Sequence, residues 1–396
     1  MNFIPVHKAT EIILGNTTSF GEELISFEKA KGRVLAEDIK ADRDLPPFNR
    51  ITMDGIALQG ASYNNGLRTF NVEQIQFAGE PQKTLRGSKA SIEVMTGASL
   101  PKNTDSVIRY EDLEIRNGVA TLKDGLQMFR NVHGKGQDRK EGETLLHAGI
   151  ELKSADLAVL ATAGKLEVQV KKLPRVAVVT SGDELLEVDK TPLPYQIRKS
   201  NIYAISSLLE PYSAQIDQFH LKDNLEESIA FLTSILNTYD VIIMSGGVSA
   251  GKKDYLPEAL KDAGVEKVFH KIQQRPGKPM WYGTKNKVSV FALPGNPVSS
   301  FMCAVRYAIP WFKKSIGINA PKEHAILSED VTFNPPLGYF MQVTLSQKDG
   351  ILKACPLEGG GSGDLANLSL SSAFMELPKQ VESKYLKGKS YRIWRF

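Results

Sequence analysis

The amino-acid sequence predicts a multidomain α/β protein built around a doubly wound, mostly parallel sheet. Between Arg175 and Trp311, short runs of β-branched residues alternate with amphipathic helical stretches, which is the pattern of βαβ units. Three of these runs end in turns of small residues, where ligands bind in open parallel sheets. With 396 residues, the chain is long enough for two to four domains rather than one core.

The central domain is predicted to span residues 175–320. Its β-branched runs predict strands at 175–180, 215–220, 240–245, 265–270 and 288–293. The amphipathic stretches between them predict helices near 201–210, 225–236 and 255–263, and a last helix from Pro297 to about Phe312.

The flanking segments have different patterns. Stretches near 10–14, 21–36 and 154–162 are predicted to be helical, whereas 70–125 contains short strands broken by Gly, Pro and Asn. Because helical material lies on both sides of the β-rich stretch, we predict an inserted β-rich domain at 45–145, with 1–44 and 146–174 packing together as a helical linker domain. Short strands at 331–333, 340–345, 352–356 and 390–394 predict a small barrel or sandwich, of which we favour a C-terminal β-barrel at 321–396.

Composition excludes several classes of protein. The net charge of +4 is spread evenly along the chain, which argues against nucleic acid as a partner. The two cysteines, Cys303 and Cys355, offer neither a disulfide framework nor a CxxC metal motif. The first residues lack a signal-peptide pattern, and no run approaches the roughly 20 apolar residues of a membrane span, so we expect no membrane partner and a cytoplasmic location.

Three turns carry the strongest chemical signal. They are Ser181-Gly182-Asp183-Glu184, Ser245-Gly246-Gly247-Val248-Ser249 and Pro294-Gly295-Asn296-Pro297. Because the carboxyl ends of parallel strands lie at one edge of a sheet, we expect these turns to share a rim. Backbone N–H groups at helix N-termini bind anions, so the rim is predicted to bind an anionic ligand.

Charged residues flank these turns. Asp183, Glu184 and Asp254 would repel phosphate unless a divalent cation lay between, and Mg²⁺ is held by carboxylates and substrate phosphates. The alternative is that they are solvated acids at helix starts. Arg275 and Lys278, on a stiff loop rich in proline, offer two cations, with an ordinary basic surface loop as the alternative.

Three loops outside the central block also place a polar residue beside glycine. Two of them contain Asp54 and Thr96 directly before a glycine, with ordinary turns as the alternative interpretation. The third, which contains Asp138, is a weaker signal from an acidic loop.

Seven motifs occur in the order found in the MoeA family of molybdopterin molybdotransferases, which the chain therefore resembles over nearly its whole length. They are Pro-Pro-Phe-x-x-x-x-Met-Asp-Gly, Thr-Gly-Ala-x-x-Pro, Gly-x-Asp-x-x-x-Gly, Ser-Gly-Asp-Glu-Leu, Ser-Gly-Gly-Val-Ser-x-Gly-x-x-Asp-Tyr, Arg-Pro-Gly-Lys-Pro and Leu-Pro-Gly-Asn-Pro-Val-Ser.

The resemblance implies a cytoplasmic homodimer of four-domain subunits, in which the linker domain serves dimerisation and the central domain is of the molybdopterin-binding type. It implies a site between the central domain of one subunit and the inserted domain of the other. The implied reaction is the Mg²⁺-dependent insertion of molybdate into adenylylated molybdopterin, with release of AMP. Transient contacts with the adenylyltransferase and with molybdoenzymes are implied as well.

The resemblance also carries functional positions onto this chain. The catalytic set is Asp54, Thr96, Asp138, Glu184, Asp223 and Asp254, with Asp254 as the metal ligand. The predicted substrate-binding set joins Pro294 and Pro297, carried over by motif position, to residues of the turns and of the basic loop that can cradle anions. The full set is Ser181, Gly182, Asp183, Ser200, Asn201, Ser245, Gly246, Gly247, Ser249, Arg275, Lys278, Pro294, Gly295, Asn296 and Pro297.

The chain departs from the family pattern at three places. Ile51-Thr52 precede Met53 and Ile56 replaces a tyrosine in the aspartate loop, Arg275 stands where lysine is common, and 373–375 read Ala-Phe-Met instead of Ala-Asn-Gly. The altered loop leaves open a second hypothesis, that the chain is a degenerate paralogue acting as a pterin-binding or scaffold protein. A third hypothesis, ATP-dependent adenylylation of molybdopterin, is disfavoured by the extra domains and by the turn at Pro294–Pro297.

Overall fold

The computed structural model describes residues 3–123, 131–248, 255–380 and 383–396. The chain divides into two compact units. The first contains the N-terminal segment up to Leu24, Gly32–Ala36 and Gln169–Phe396. The second contains Ile25–Lys31 and Glu37–Val168.

A six-stranded sheet forms the centre of the first unit and confirms the predicted mostly parallel α/β fold. Its strand order is Gln215–Leu221, Arg175–Ser181, Val241–Ser245, Val288–Leu293, Trp281–Lys285 and Glu266–His270. Trp281–Lys285, which the sequence pattern did not reveal, runs antiparallel to both of its neighbours. The first four strands in this order run parallel to one another, and Val176 pairs directly with Val241.

Helices cover both faces of this sheet. Side chains of each strand alternate between two apolar clusters, with Val176 and Val178 on one face and Ala177 and Val179 on the other. The α-helices of the unit are Val6–Gly15, Asn201–Leu209, Leu225–Ile235, Leu256–Asp262, Pro297–Cys303, Ile309–Ser315 and Leu365–Leu370. A π-helical turn, Ala304–Ala308, interrupts the helix that was predicted to be continuous from Pro297 to Phe312.

The helix predicted at 21–36 is wrong. Glu22–Ser26 is a strand that pairs with Glu167–Lys171, and Phe27–Lys29 is a single 3₁₀ turn. Gly32 then has a φ of +78°, a left-handed conformation that ends any helix there. The spacing of the apolar residues in this segment resembles a helical pattern, but it arises from a strand followed by turns.

The C-terminal strands close into the predicted barrel. Its ring consists of Gly338–Lys348, Ile351–Pro356, His324–Leu327, Ser390–Arg395 and Ala373–Leu377, and the first of these pairs with the last. Two further short strands, Val331–Thr332 and Lys384–Tyr385, pair with each other. A strand of two residues, Gln274–Arg275, adds to the barrel beside Gly338–Tyr339.

The second unit is rich in β-structure, as predicted for the inserted segment. Its six-stranded sheet has the order Ser106–Arg109, Gly55–Leu58, Ala90–Val94, Thr69–Gln76, Val119–Leu122 and Leu113–Arg116. Two short pairs accompany it, Arg50–Ile51 with Val132–His133 and Ile39–Lys40 with Thr144–Leu146. The helices are Gly60–Asn64 and Ser154–Thr162, with a 3₁₀ turn at Tyr110–Asp112. The four-domain division stays a prediction.

Candidate functional site

The three small-residue turns of the first unit line one cavity of about 480 Å³ at the carboxyl ends of the parallel strands. Of the residues predicted for the site, this cavity is lined by Ser181, Gly182, Glu184, Ser200, Asn201, Asp223, Ser245, Gly246, Gly247, Pro294, Gly295, Asn296 and Pro297. We call it the rim pocket. The expectation that the turns share a rim therefore corresponds to the observed geometry.

A buried hydrogen-bond network fixes two of these turns to each other. The Ser245 hydroxyl lies 3.1 Å from the Ser300 hydroxyl and 3.3 Å from the Pro294 carbonyl oxygen. The Asn201 side-chain amide donates to the Ser245 hydroxyl and to the Gly295 carbonyl, both at 2.8 Å. Asn201 is the first residue of the helix Asn201–Leu209. Its hydrogen bonds therefore fix the start of this helix relative to the second and third turns.

Two glycines bring the backbone close to Ser181 in the rim pocket. Gly246 and Gly247 have φ values of +102° and +65°, where a side chain would be strained. A Cβ atom at Gly246 would lie only 2.7 Å from the Ser181 carbonyl oxygen. The Ser181 hydroxyl is buried and has no hydrogen-bond partner among the described residues. Because buried polar groups normally have partners, this hydroxyl is a candidate donor to a bound ligand.

Acidic residues flank the first turn in different roles. The Glu184 carboxylate lies over Gly182, where a Cβ would be 2.7 Å from either carboxylate oxygen. Asp223 also lines the rim pocket. Asp183 is not among the lining residues, and its carboxylate instead accepts the Asp223 backbone N–H at 3.3 Å. Asp183 thus supports the loop that carries Asp223.

The described residues do not form a metal site. Within the described ranges, no group of three or more His, Cys, Asp or Glu side chains is placed to hold a metal ion. Asp254 and Ser249, predicted as a Mg²⁺ ligand and a substrate contact, lie outside the described residues. Among the described residues, Glu184 and Asp223 are the two carboxylates that line the rim pocket, and two carboxylates are too few to form a complete metal site.

Sequence reasoning missed Lys199, which also lines the rim pocket. Its side chain is 8% exposed and forms an ion pair with Glu187. Burial lowers the pKa of the nearby His220, and the positive charge of Lys199 lowers it further. The sequence offers only a basic pair, Arg198-Lys199, just before the helix start, which is indistinguishable from an ordinary surface pair.

The predicted cations Arg275 and Lys278 line a different cavity, of about 500 Å³. We call it the cationic pocket. Barrel residues complete its wall, among them Phe333 and Tyr339, whose rings stack at 4.2 Å. Pro279 lines both cavities, so the two pockets are neighbours within the first unit.

The loop that carries the two cations is anchored from below. Gln274 is fully buried; its amide nitrogen donates to the Gly277 carbonyl at 3.2 Å, and its amide oxygen accepts the Tyr307 hydroxyl. Gly277 has a φ of +85°, and a Cβ there would lie 2.4 Å from the Cys303 sulfur. The loop backbone is therefore fixed, which presents the cations in a set position.

In the second unit, Asp54 and Thr96 lie side by side. The Asp54 carboxylate accepts the Thr96 backbone N–H at 2.6 Å, and this bond holds the pKa of Asp54 below its usual value. Ile56, which replaces the family's tyrosine, is fully buried in the sheet. A tyrosyl hydroxyl nevertheless lies nearby, because Tyr110 donates its backbone N–H to the Asp54 carbonyl and its hydroxyl to Glu93.

Asp138 belongs to a chain of three side chains in the same unit. The His133 Nε2 lies 2.8 Å from an Asp138 carboxylate oxygen, and the His133 Nδ1 lies 3.1 Å from the Arg50 guanidinium. The pairing of strands Arg50–Ile51 and Val132–His133 places Arg50 beside His133.

No helix in the described part of the chain is long and apolar enough to cross a membrane.

Three family models together match most of the chain. The MoeA N-terminal region, comprising domains I and II, matches residues 4–164. A probable molybdopterin binding domain matches 177–314, and the MoeA C-terminal region, domain IV, matches 324–395.

Named relatives span the full length. A molybdopterin molybdenumtransferase of Synechocystis sp. is 38% identical over 99% of this chain and 99% of its own. The same enzyme of Staphylococcus epidermidis is 31% identical over 95% of this chain and 91% of its own. The fold is also similar to the crystal structure of a molybdopterin biosynthesis MoeA protein from Pyrococcus horikoshii, with a TM-score of 0.82. The two sequences are 26% identical, and the match covers 100% of both chains.

Proposed function

Because the chain belongs to the MoeA family, we propose that it is a molybdopterin molybdenumtransferase, which inserts molybdate into adenylylated molybdopterin with release of AMP. The observation that carries the proposal is the rim pocket, with its glycine cradle and the orphaned Ser181 hydroxyl, next to a pocket with two fixed cations. Both substrates are anions, so both pockets suit their chemistry.

We assign the two pockets to different parts of the reaction. The rim pocket takes the phosphate-bearing end of adenylylated molybdopterin, since hydroxyls and glycine N–H groups there can donate to phosphate oxygens. The cationic pocket takes molybdate, because Arg275 presents a planar fork and Lys278 a point charge to an oxyanion. Pro279, which lines both, would bring the oxyanion close to the pterin when both are bound.

Mg²⁺ dependence is part of the proposal and rests on Asp254, outside the described residues. When bound, the ion would offset charge on the cleaved diphosphate. Chelation with EDTA is expected to abolish AMP release and added Mg²⁺ to restore it. Asp254→Asn should reduce turnover far more than it reduces the melting temperature.

The proposed assembly is a cytoplasmic homodimer, in which the site of one subunit is completed by Asp54, Thr96 and Asp138 of the second unit of its partner copy. Sedimentation equilibrium measures the assembly state directly. Complementation of an Asp54→Asn variant by a Glu184→Gln variant in mixed dimers would support sharing of the site, and failure of the mixture to regain activity would contradict it.

The central test measures AMP release and cofactor formation from adenylylated molybdopterin and molybdate. We expect turnover by the wild type. The double variant Arg275→Gln, Lys278→Gln should have a raised KM for molybdate and should still bind adenylylated molybdopterin. Lys353→Gln, an exposed barrel lysine, is the matched control. Folded wild-type protein without turnover would overturn the proposal.

One observation favours a second candidate, a pterin-binding scaffold without turnover. Ile51 and Ile56 are buried in the core of the second unit, at the positions where the family pattern has serine and tyrosine. Tight pterin binding without AMP release would select this candidate. ATP-dependent adenylylation of molybdopterin, if measured, would select the adenylyltransferase activity instead.

A further inference from the structure

We infer that Lys199 is the phosphate-binding cation of the rim pocket, and that a substrate phosphate displaces Glu187 from its ammonium group. The inference deepens the proposed function and rests on it. It concerns a residue that the motif comparison did not place in the site, and it names the chemical group of the substrate that this residue takes.

Lys199 lies at the start of a helix and lines the rim pocket. It lies between the short strand Ile197–Arg198 and the helix Asn201–Leu209, and its backbone N–H is bound to the Leu186 carbonyl at 2.9 Å. Lys199 therefore stands at the N-terminal end of the helix, on the same wall as Asn201. A phosphate held there would meet the helix N-terminus and a cation together.

The Lys199 side chain is buried, unlike that of its ion-pair partner. The Lys199 side chain is only 8% exposed, whereas that of its partner Glu187 is 54% exposed. Burying an ammonium group is costly unless it is paired, and Glu187 provides the charge that pairs with it in this structure. Since the carboxylate of Glu187 is already half in water, it can return to solvent at small cost when a phosphate arrives.

The Ser181 hydroxyl is a further unpaired donor among the residues that line the rim pocket. Ser181, 8% exposed, has no hydrogen-bond partner for its Oγ among the described residues, and it lines the same cavity as Lys199. A phosphate has enough acceptor oxygens to satisfy both a hydroxyl and an ammonium group. One ligand thus accounts for an unsatisfied donor and for a buried lysine.

Arg198 is a poorer candidate for this role although it also lines the pocket. Its side chain is exposed, and its Nε donates to the Lys190 carbonyl at 3.2 Å. The remaining charged residues that line the described part of the pocket, Glu184 and Asp223, are acids. Lys199 is therefore the cation that phosphate meets with the least loss of solvent contacts.

The electrostatic reach of Lys199 gives a readout besides activity. Its charge lowers the pKa of His220, while the charges of Glu187 and Asp183 raise it, and burial of the ring is the largest cause of the lowering. A phosphate that replaces the Glu187 carboxylate beside Lys199 would change that field. The His220 ring resonance should therefore report binding by NMR in wild-type protein and be silent in Lys199→Met.

The experiment compares AMP with adenosine by calorimetry, since the two differ only in the phosphate. We expect wild-type protein to bind AMP more tightly than adenosine, and Lys199→Met to lose this preference by roughly tenfold or more. Glu187→Gln should tighten AMP binding, because it removes the competing carboxylate. Lys165→Met, which breaks another ion pair of lysine, is the matched control and should bind AMP like the wild type.

The outcomes separate this inference from the proposed function. Lys199→Met that is folded and keeps the full preference for AMP overturns the inference alone. Wild-type protein that binds neither AMP nor adenosine overturns both the assignment of the rim pocket and the inference. If Lys199→Met does not fold, Lys199→Gln and the response of Glu187→Gln decide the same question.

Discussion

At the scale of single residues, His220 makes the stability of the fold depend on pH. Its folded pKa is lower than the reference value of 6.5, with burial as the first cause and Lys199 as the second. The unfolded chain therefore binds more protons than the folded one as pH falls below 6.5. The stabilisation is fully present above that pH and is lost as pH falls towards the folded pKa.

The prediction is that His220→Gln flattens the pH dependence of the unfolding free energy below about pH 6.5. Urea unfolding at half-unit steps from acidic to neutral pH measures it. Lys199→Met should weaken the dependence without abolishing it, because one of the two causes remains. An unchanged slope in His220→Gln would mean that other groups produce the pH dependence.

We propose that His133 positions the Asp138 carboxylate, with which it is in contact. The Arg50 guanidinium can only donate, so the Nδ1 of His133 accepts and its Nε2 carries the proton that is donated to Asp138. We expect His133→Ala to lower kcat by roughly tenfold, about the effect of one lost hydrogen bond to a charged group. His133→Gln places an amide donor near the position of Nε2 and should restore most of the rate.

Steady-state kinetics of both variants, with melting curves, check this prediction. The expected signature is a kcat loss in His133→Ala that glutamine rescues. Equal losses in both variants, in step with their melting temperatures, would indicate that His133 only stabilises the unit.

The residue scale also shows where sequence reasoning stopped. The turns at Ser181 and Ser245 were readable because each ends a β-branched run, which fixes their place at a sheet edge. Arg275 and Lys278 were expected at the same rim, yet they face the neighbouring pocket, because Gln274–Arg275 pairs with a barrel strand far along the chain. Such long-range pairing leaves no local signal.

At the scale of elements, Gly55 lets two strands of the second unit approach each other. A Cβ atom there would lie 1.8 Å from the Ile108 carbonyl oxygen on the neighbouring strand Ser106–Arg109. We expect Gly55→Ala to destabilise the unit by about 3 kcal/mol, since the backbone itself must move. Loss of the strand would also displace the adjacent Asp54.

Gly79 is the matched control for this substitution. It has a φ of +82° but open space around a Cβ, so Gly79→Ala should cost only about 1 kcal/mol of backbone strain. Denaturant unfolding of the two variants compares the effects. Similar losses in both would contradict a steric role for Gly55.

Elements with strong periodicity were predictable, and others were not. The strands at Arg175–Ser181 and Val288–Leu293 are nearly continuous apolar runs, as expected when helices cover both faces of a parallel sheet. Trp281–Lys285 was missed because its Trp-Tyr-Gly-Thr-Lys sequence contains one β-branched residue and a glycine. Only its two antiparallel neighbours make it a strand.

At the scale of the whole molecule, each unit has its own apolar core. Among its described residues, the second unit contains one cluster around Ile92 and Val107 and one around Phe70 and Ile108, and both consist of residues of this unit. A segment that carries its own apolar clusters can fold alone. We therefore predict that residues 37–168, expressed in isolation, fold cooperatively.

Dispersion of the amide resonances and a sigmoidal thermal transition of the isolated segment test this prediction. The matched comparison is a segment that ends at residue 320, which removes the barrel and with it Phe340 and Phe374 from the largest described apolar cluster of the first unit. This truncated chain should aggregate or stay unfolded. A disordered 37–168 segment would show that its clusters need the rest of the chain.

The largest core also has a consequence for how the protein is made. Ala9 and Ile13, from the first helix, pack in the same cluster as Phe374, from one of the last strands. During translation the helix leaves the ribosome roughly 20 seconds or more before its partner exists, at about 5–20 residues per second. The second unit can fold on the nascent chain, whereas the first helix stays without this packing partner, exposed to chaperones, until Phe374 has been synthesised.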